Sequence, residues 1–368
     1  MQPDTLVKRI RKEEIETPAL IIDLDMMERN IKRMAELTRR MGVQLRPHIK
    51  THKCPTIAHM QMAAGAIGIA CANLGEAEVM VKAGLKEILI TRMVVGPEKV
   101  RRLMGLAKLA NIIVATDSFA NVAELAEGAK TYNAHLGVII EINVGQNRCG
   151  MEPASDEVLQ LAKKISATPG LEFMGLQGYE GHLVLIPETE LRSREVRLAN
   201  ERVVNTRKML EQNGIEVKIV TGGGTGSCEM TGGFPGMTEI QPGSYPTMDA
   251  AYHAIMGHHF EPALTLLSTV ISRPSKDRAV VDAGGKALTG DYGPAKVLGV
   301  PGAEYRLGGD EYGIIDLKNS DRDLKIGEKI ELHPTHGCTT VNLNDVFYGV
   351  RNGYLEVVMP IAARGRTN

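Results

Sequence analysis

Tryptophan is absent from this chain, and only five phenylalanines occur among its 368 residues. A nucleic-acid platform of stacked aromatic rings therefore has no material. Charge offers no substitute, because 43 basic side chains face 44 acidic ones and the net charge is −1. Such a balance draws a protein neither to nucleic acid nor to an anionic membrane surface. No run of about 18 apolar residues occurs, which argues against a membrane-spanning helix. Cysteine is sparse as well: the five thiols are odd in number and form no CxxC pair. That argues against a disulfide scaffold and for a reducing cytoplasm. The opening stretch MQPDTLVKRIRKEEIETP has no apolar core of the kind a secretory leader needs. Any anion bound here must be held by local geometry.

What the chain does contain is alternation. From residue 43 onward, short β-branched runs alternate with stretches of helical spacing. Strands are expected at VQLRPH (43–48), AIGIAC (66–71), EILITR (87–92), NIIVAT (111–116), LGVIIEINV (136–144), EFMGLQGY (172–179), VKIVTGG (217–223) and MTEIQPG (237–243). Between them, GEAEVMVKAG, GPEKVRRLMGLAKLA and SDEVLQLAKKISATPG carry apolar residues at helical intervals. Eight strands alternating with helices over about 200 residues match a (β/α)8 barrel, with an open doubly wound sheet as the alternative. After residue 260 the pattern becomes closely spaced strands joined by turn residues, with no helix of any length between them. The fold class is thus α/β, a TIM-like barrel over residues 25–255 followed by a C-terminal β-domain over 256–368. Residues 1–24 are assigned to the β-domain, because the run PALIIDL (18–24) precedes the first barrel strand.

Three sets of residues could carry chemistry. RPHIKTHK (46–53) crowds Arg46, His48, Lys50, His52 and Lys53 onto the C-terminal end of the first barrel strand. Barrel active sites sit on that face. The octapeptide reads as a basic loop, an anion site, or a place where the Lys50 amine forms a Schiff base. Arg46, His48, His52 and Lys53 would supply the field that lowers that amine's pKa.

GGGTGS (222–227) follows the seventh strand, and PGSY (242–245) ends the eighth. The first is no Walker A loop, since no Lys-Ser or Lys-Thr follows, and it is no dinucleotide fingerprint. Loops after those two strands frequently bind phosphate in barrels; a loose glycine loop is the alternative. Phosphate on one side of a barrel mouth and a Schiff-base lysine on the other suggest pyridoxal 5′-phosphate. The third set is HPTHGCTT (333–340), where His336 and Cys338 stand two apart and would share one face of a strand. Imidazole plus thiolate favours zinc, with His333 as a further candidate on the opposite face; a core cysteine beside a turn histidine is the alternative.

Taken together and in this order, the three sets resemble one family: the D-threonine aldolase/D-serine dehydratase group of fold-type III pyridoxal-phosphate enzymes, whose barrel is of the alanine racemase N-terminal type. The likeness runs from TPALIIDLDMMERNI (17–31) and RPHIKTHKCP (46–55) through VGQNRCG (144–150), GLQGYEG (175–181) and both glycine turns. It continues through VVDAGGKA (280–287) and HGCTTVNLNDVFYGVRNG (336–353) to AARG (362–365). The resemblance implies that Lys50 is the Schiff-base lysine and that Gly222, Gly223, Gly224, Thr225, Ser244 and Tyr245 hold the phosphate. It places Arg148 near the cofactor's phenolic oxygen and Tyr179 against cofactor or substrate. His336 and Cys338 would bind a divalent metal (zinc, manganese or magnesium), presented to the barrel mouth by the β-domain of a homodimer partner.

Lys50, Tyr179, His52 and His182 form the candidate catalytic set, with His52, His182 or a metal-bound water as the base. His182 stands in a register shifted from the family's usual histidine, and Tyr312 replaces another histidine in DEYG. The implied substrate is a small D-β-hydroxy amino acid such as D-threonine, cleaved in a retro-aldol reaction to glycine and an aldehyde. Dehydration of D-serine or D-3-hydroxyaspartate to a 2-oxo acid and ammonia is the alternative, and the His-x-Cys pair argues for it. An amino-acid racemase would leave the metal pair without a role. Non-catalytic pyridoxal-phosphate carriers lack the β-domain.

Overall fold

A computed structural model describes residues 9–368, so the first eight residues of the segment 1–24 lie outside the described residues. Two compact units divide the chain: Ile31–Tyr245 with Gly365–Asn368, and the described residues up to Asn30 with Pro246–Arg364. Among the described residues no helix is long and apolar enough to cross a membrane.

After β1 (Ala19–Asp23), the first unit supplies β2 (Gln44–Leu45), β3 (Ile69–Cys71), β4 (Glu87–Ile90), β5 (Asn111–Thr116), β6 (Leu136–Glu141), β7 (Leu171–Gly178), β8 (Ile219–Gly222) and β9 (Glu239–Ile240). These eight form a parallel sheet in the order β2-β9-β8-β7-β6-β5-β4-β3. Its ends join through a parallel bridge between His48 and Ala70, with Ala70 N–H donating to the Pro47 carbonyl at 2.9 Å. The sheet is therefore a closed ring, which excludes the open doubly wound alternative. Strand β2 is shorter than the expected 43–48 because Pro47 has no N–H to place in the ladder. Helices are stopped and started by local chemistry. Asn73, Ser118 and Ser155 accept the N–H three residues on, and Pro55 and Pro97 open their helices.

Strand β7 contains the one irregularity that matters for the site. Its pairing with β6 steps from Val138–Phe173 to Ile139–Gly175, so β7 carries one extra residue there. Gly175 has φ 148°, and a Cβ at that position would stand 1.9 Å from the Ile219 carbonyl oxygen. Only glycine fits. The bulge changes which side chains face inward. Met174 packs against Leu89, Ala115 and Ile139, and three residues later Gln177 also turns inward to Glu141 and Gln241. Unbroken alternation from Met174 would have sent Leu176 and Gly178 inside instead.

The second unit holds β1 and eight further strands: β10 (Leu264–Ser275), β11 (Arg278–Val281), β12 (Lys296–Leu298), β13 (Glu304–Leu307), β14 (Gly313–Asp316), β15 (Lys329–His333), β16 (Val346–Arg351) and β17 (Tyr354–Pro360). Strand β1 lies antiparallel to β10 and parallel to β16. Ile15, Ala19, Ile21, Leu267 and Val350 pack together as a buried cluster around it. The expectation of an all-strand region needs one correction, because a short helix, Gly337–Asn342, interrupts it.

Candidate active site

Lys50 sits in a single 3-10 turn, Ile49–Thr51, that follows β2. Its Nζ lies 5.4 Å from the centroid of the Tyr179 ring, and the Arg148 guanidinium carbon lies 5.9 Å from the same centroid. The cationic field expected from the rest of the octapeptide is not what the structure shows. Arg46 forms a two-pronged pair with Glu239, at 2.9 and 3.0 Å. Lys53 pairs with Glu76 at 2.5 Å, with both side chains buried. Buried charges are stable only when matched in this way.

His48 and His52 are neutral. Burial pushes the His48 pKa well down, with help from Lys50, Lys53, His52 and Arg148. Its hydrogen bonds agree: Nδ1 accepts from the Lys50 N–H at 3.3 Å, and Nε2 lies 3.3 Å from the Thr91 hydroxyl. Burial likewise lowers the His52 pKa to about 4. His52 Nδ1 accepts from the Cys54 N–H at 3.2 Å, and Nε2 lies 3.2 Å from Gln61 Oε1. With both ring nitrogens engaged, His52 has no lone pair for a substrate proton, and its expected role as a base is withdrawn. Lys50 and Arg148 are the cations left beside Tyr179.

The two glycine turns are tied to the lysine turn by hydrogen bonds. The Thr51 hydroxyl donates to the Gly243 carbonyl at 2.6 Å. Thr225 Oγ1 accepts from the backbone N–H groups of Ser244 and Tyr245, at 2.9 and 3.2 Å. One rim thus links the ends of β2, β8 and β9. Behind it stands Glu180, fully buried, which accepts from the Gly223 N–H at 3.1 Å and from the Ser227 and Thr231 hydroxyls at 2.7 and 2.6 Å. Sequence reasoning missed Glu180, although an acidic residue just past a barrel strand was the available signal. Tyr245 is fully buried, with its hydroxyl accepting from Gln61 Nε2 at 2.9 Å and its backbone N–H donating to Thr225.

This rim fits a phosphorylated cofactor. A Cβ on Gly224 would reach 3.4 Å from the Tyr179 ring and 3.0 Å from Val184, and one on Gly226 would reach 2.0 Å from the Val184 carbonyl. Only glycine therefore fits at position 226, and the backbone at Gly224 passes within van der Waals reach of the Tyr179 ring.

Deeper in the ring, polar side chains form a ladder. Gln241 Nε2 donates to Gln177 Oε1 at 3.0 Å and to Thr221 Oγ1 at 2.8 Å, and Gln177 Nε2 donates to Glu141. Burial raises the Glu141 pKa to about 8, against the opposing pull of Gln177 and Arg148. The acid is therefore protonated at neutral pH. His182, exposed, lies against Gly145 of the loop after β6. Partial burial lowers its pKa; Glu180 opposes this and Arg202 adds to it.

In the second unit the expected strand geometry of the His-Cys pair does not hold. His336 is the N-cap of the helix Gly337–Asn342, and Cys338 lies in its first turn. A cap and a first-turn residue project from a helix end and do not alternate across a sheet. His336 Nδ1 lies 2.6 Å from Asp291 Oδ2, and its ring stacks on Tyr292 with centroids 4.0 Å apart. His333 is buried with Nε2 at 2.9 Å from the Met248 carbonyl, which removes it from the ligand candidates. Among the described residues no three His, Cys, Asp or Glu side chains form a metal-binding group. The donor chemistry of His336 and Cys338 fits an open divalent site with two protein ligands, not a closed structural one.

Comparison with known proteins bears on this geometry. The alanine racemase N-terminal domain matches residues 22–250, and a serine dehydratase domain matches 263–350. D-threonine aldolase from Arthrobacter is 38% identical over 95% of this chain and 93% of its own length. The chain belongs to the D-threonine aldolase/D-serine dehydratase family. Members of this family are pyridoxal-phosphate-dependent lyases. The crystal structure of D-threonine aldolase from Filomicrobium marinum superposes with a TM-score of 0.94 at 39% identity, covering 98% of this chain and 99% of that one. A family member with another reaction is more distant. D-threo-3-hydroxyaspartate dehydratase from Delftia gives a TM-score of 0.87 at 26% identity, over 96% of this chain and 99% of that one, and a metal-free cysteine-to-alanine form of a dehydratase of that name gives the same score. A histidine-to-alanine form of a dehydratase of the same name is also known, and its substituted position is two before that cysteine. His336 and Cys338 have the same spacing.

Proposed function

We propose that this lyase splits the Cα–Cβ bond of D-β-hydroxy amino acids, D-threonine foremost, releasing glycine and an aldehyde. The reading rests on one observation: Lys50, Tyr179 and the two tied glycine turns meet at one end of one barrel. Similarity supports the choice of reaction, at 38% to an aldolase against 28% to a dehydratase.

Pyridoxal phosphate, when bound, supplies an electron sink for negative charge developing at Cα. The chain's own residues do the rest. The turn Gly222–Thr225 and the Ser244–Tyr245 turn tied to it would frame the phosphate, and Lys50 is the amine for covalent attachment. Tyr179 presents a ring beside both Lys50 and Arg148, which would seat a planar ligand and keep a cation near its oxygen. Protonated Glu141 keeps the ladder of Gln177, Gln241 and Thr221 free of negative charge. His182 accepts the β-hydroxyl proton, since its lowered pKa leaves it neutral at neutral pH. His336 and Cys338 would hold a divalent metal, a Lewis acid toward the hydroxyl oxygen.

Incubation with D-threonine, D-serine and L-threonine tests the reading. Glycine and acetaldehyde from D-threonine alone are expected. A 2-oxo acid and ammonia would establish instead the dehydratase, the reading that the His-x-Cys spacing favours. The proposal extends to a cytoplasmic homodimer, in keeping with five free cysteines. A monomer in sedimentation at working concentration would overturn the dimer.

A further inference from the structure

We propose that Asp291 and Tyr292 are positioning residues for His336, holding its imidazole in the one tautomer and plane that suit a metal ligand. The inference deepens the reading of His336 and Cys338 as ligands and rests on it. The described hydrogen bond of the His336 side chain runs through Nδ1 to Asp291 Oδ2, at 2.6 Å. A carboxylate accepts, so Nδ1 carries the proton and the lone pair is left on Nε2. The carboxylate is itself held: the Thr289 hydroxyl donates to Oδ1 at 2.8 Å, and the Thr339 hydroxyl lies 3.2 and 3.4 Å from its two oxygens. Tyr292 then fixes the plane, with its ring 4.0 Å from the imidazole and only 3° from parallel.

Two further contacts make the holder a unit. Thr339 belongs to the helix that His336 caps, so Asp291 grips the cap and the first turn together. Asp249 braces the same helix by accepting the Gly337 N–H at 2.8 Å. The segment Thr289–Tyr292 has no strand or helix role of its own among the described elements, yet two of its four residues meet one imidazole and a third, Thr289, holds the carboxylate that does. A site with only two protein ligands depends more on their preset orientation than a site with four, because fewer bonds share the ordering cost.

Equilibrium dialysis of the full-length protein against buffered zinc, with bound metal counted by mass spectrometry, tests this. Asp291→Ala is expected to weaken zinc binding about 10- to 100-fold. Nitrogen-15 shifts of His336 in metal-free protein are expected to show the Nδ1–H tautomer in the wild type and a mixture in Asp291→Ala. Unchanged zinc affinity in Asp291→Ala, or an Nε2–H tautomer in the wild type, overturns the positioning role while leaving the ligands in place. Zinc binding that survives His336→Ala and Cys338→Ala removes the ligand reading itself, and the positioning role with it. If Asp291→Ala fails to fold, Thr339→Val removes one support of the carboxylate and is expected to weaken zinc in the same direction, by less.

Discussion

The lysine rim of the barrel and the His-Cys pair of the β-unit are built on different principles. In the rim, each candidate residue stands at the end of a parallel strand, and hydrogen bonds from Thr51, Thr225 and Glu180 join neighbouring strand ends. The scaffold decides where the chemistry is, and the side chains only have to be present. In the β-unit, His336 and Cys338 sit at a helix end, and an irregular loop, Thr289–Tyr292, sets the orientation of the first of them. A periodic frame thus makes a site's location legible, whereas an irregular one conceals how its residues point.

Breaking each region in turn sharpens the contrast. Lys50→Ala should remove the borohydride-sensitive visible absorbance of bound cofactor and lower kcat by about 10⁴-fold or more. A variant that keeps both would sink the rim as the covalent site. His336→Ala should keep that absorbance while losing activity by about 10²- to 10³-fold, and EDTA should mimic it reversibly in the wild type. Chelator-indifferent turnover would show that the β-unit pair holds no working metal.

Glu180→Ala leaves the Gly223 N–H and two hydroxyls without their acceptor. It should cost about 3 kcal/mol of stability in denaturant melts and weaken cofactor retention; an unchanged midpoint would make the rim less interdependent than its bonds suggest. Glu141 has its folded pKa raised from 4.5 to about 8. Its stabilising contribution is complete below the unfolded value and is lost as pH rises through the folded one, because the folded state binds more protons across that window. Melts of the wild type should therefore lose up to about 5 kcal/mol across it relative to Glu141→Gln, in which this slope disappears. The smallest effect is expected from His52→Asn, about 1 kcal/mol in stability with the pH profile of kcat unchanged. A lost limb in that profile would restore His52 as a base.

The barrel was legible because its signal is redundant. Each expected strand overlaps an observed one, and the alternation of strand and helix locates the catalytic face without any side-chain detail. The pairing of charges was not legible. Arg46 meets Glu239 and Lys53 meets Glu76 across 193 and 23 positions of sequence, so the octapeptide looked far more cationic than it is. His52 was misread for a related reason: its partners, Cys54 and Gln61, are near in sequence but carry no marker of engagement. The His-x-Cys spacing suggested a strand because it is even. Neither Gly337 nor the threonines that follow announce a helix, and its start depends on Asp249, distant in the chain.

The bulge at Gly175 has a consequence for how this enzyme can vary. It splits β7 into two segments of opposite phase, of which the first answers to the hydrophobic layer around Met174 and the second to Gln177 and Tyr179. Substitutions that repack one segment do not require matching changes in the other. Replacing the single glycine would keep every apolar residue of the strand and still drive a Cβ to 1.9 Å from the Ile219 carbonyl oxygen. The strand behaves as two words separated by a space, and the space is the part that cannot be rewritten.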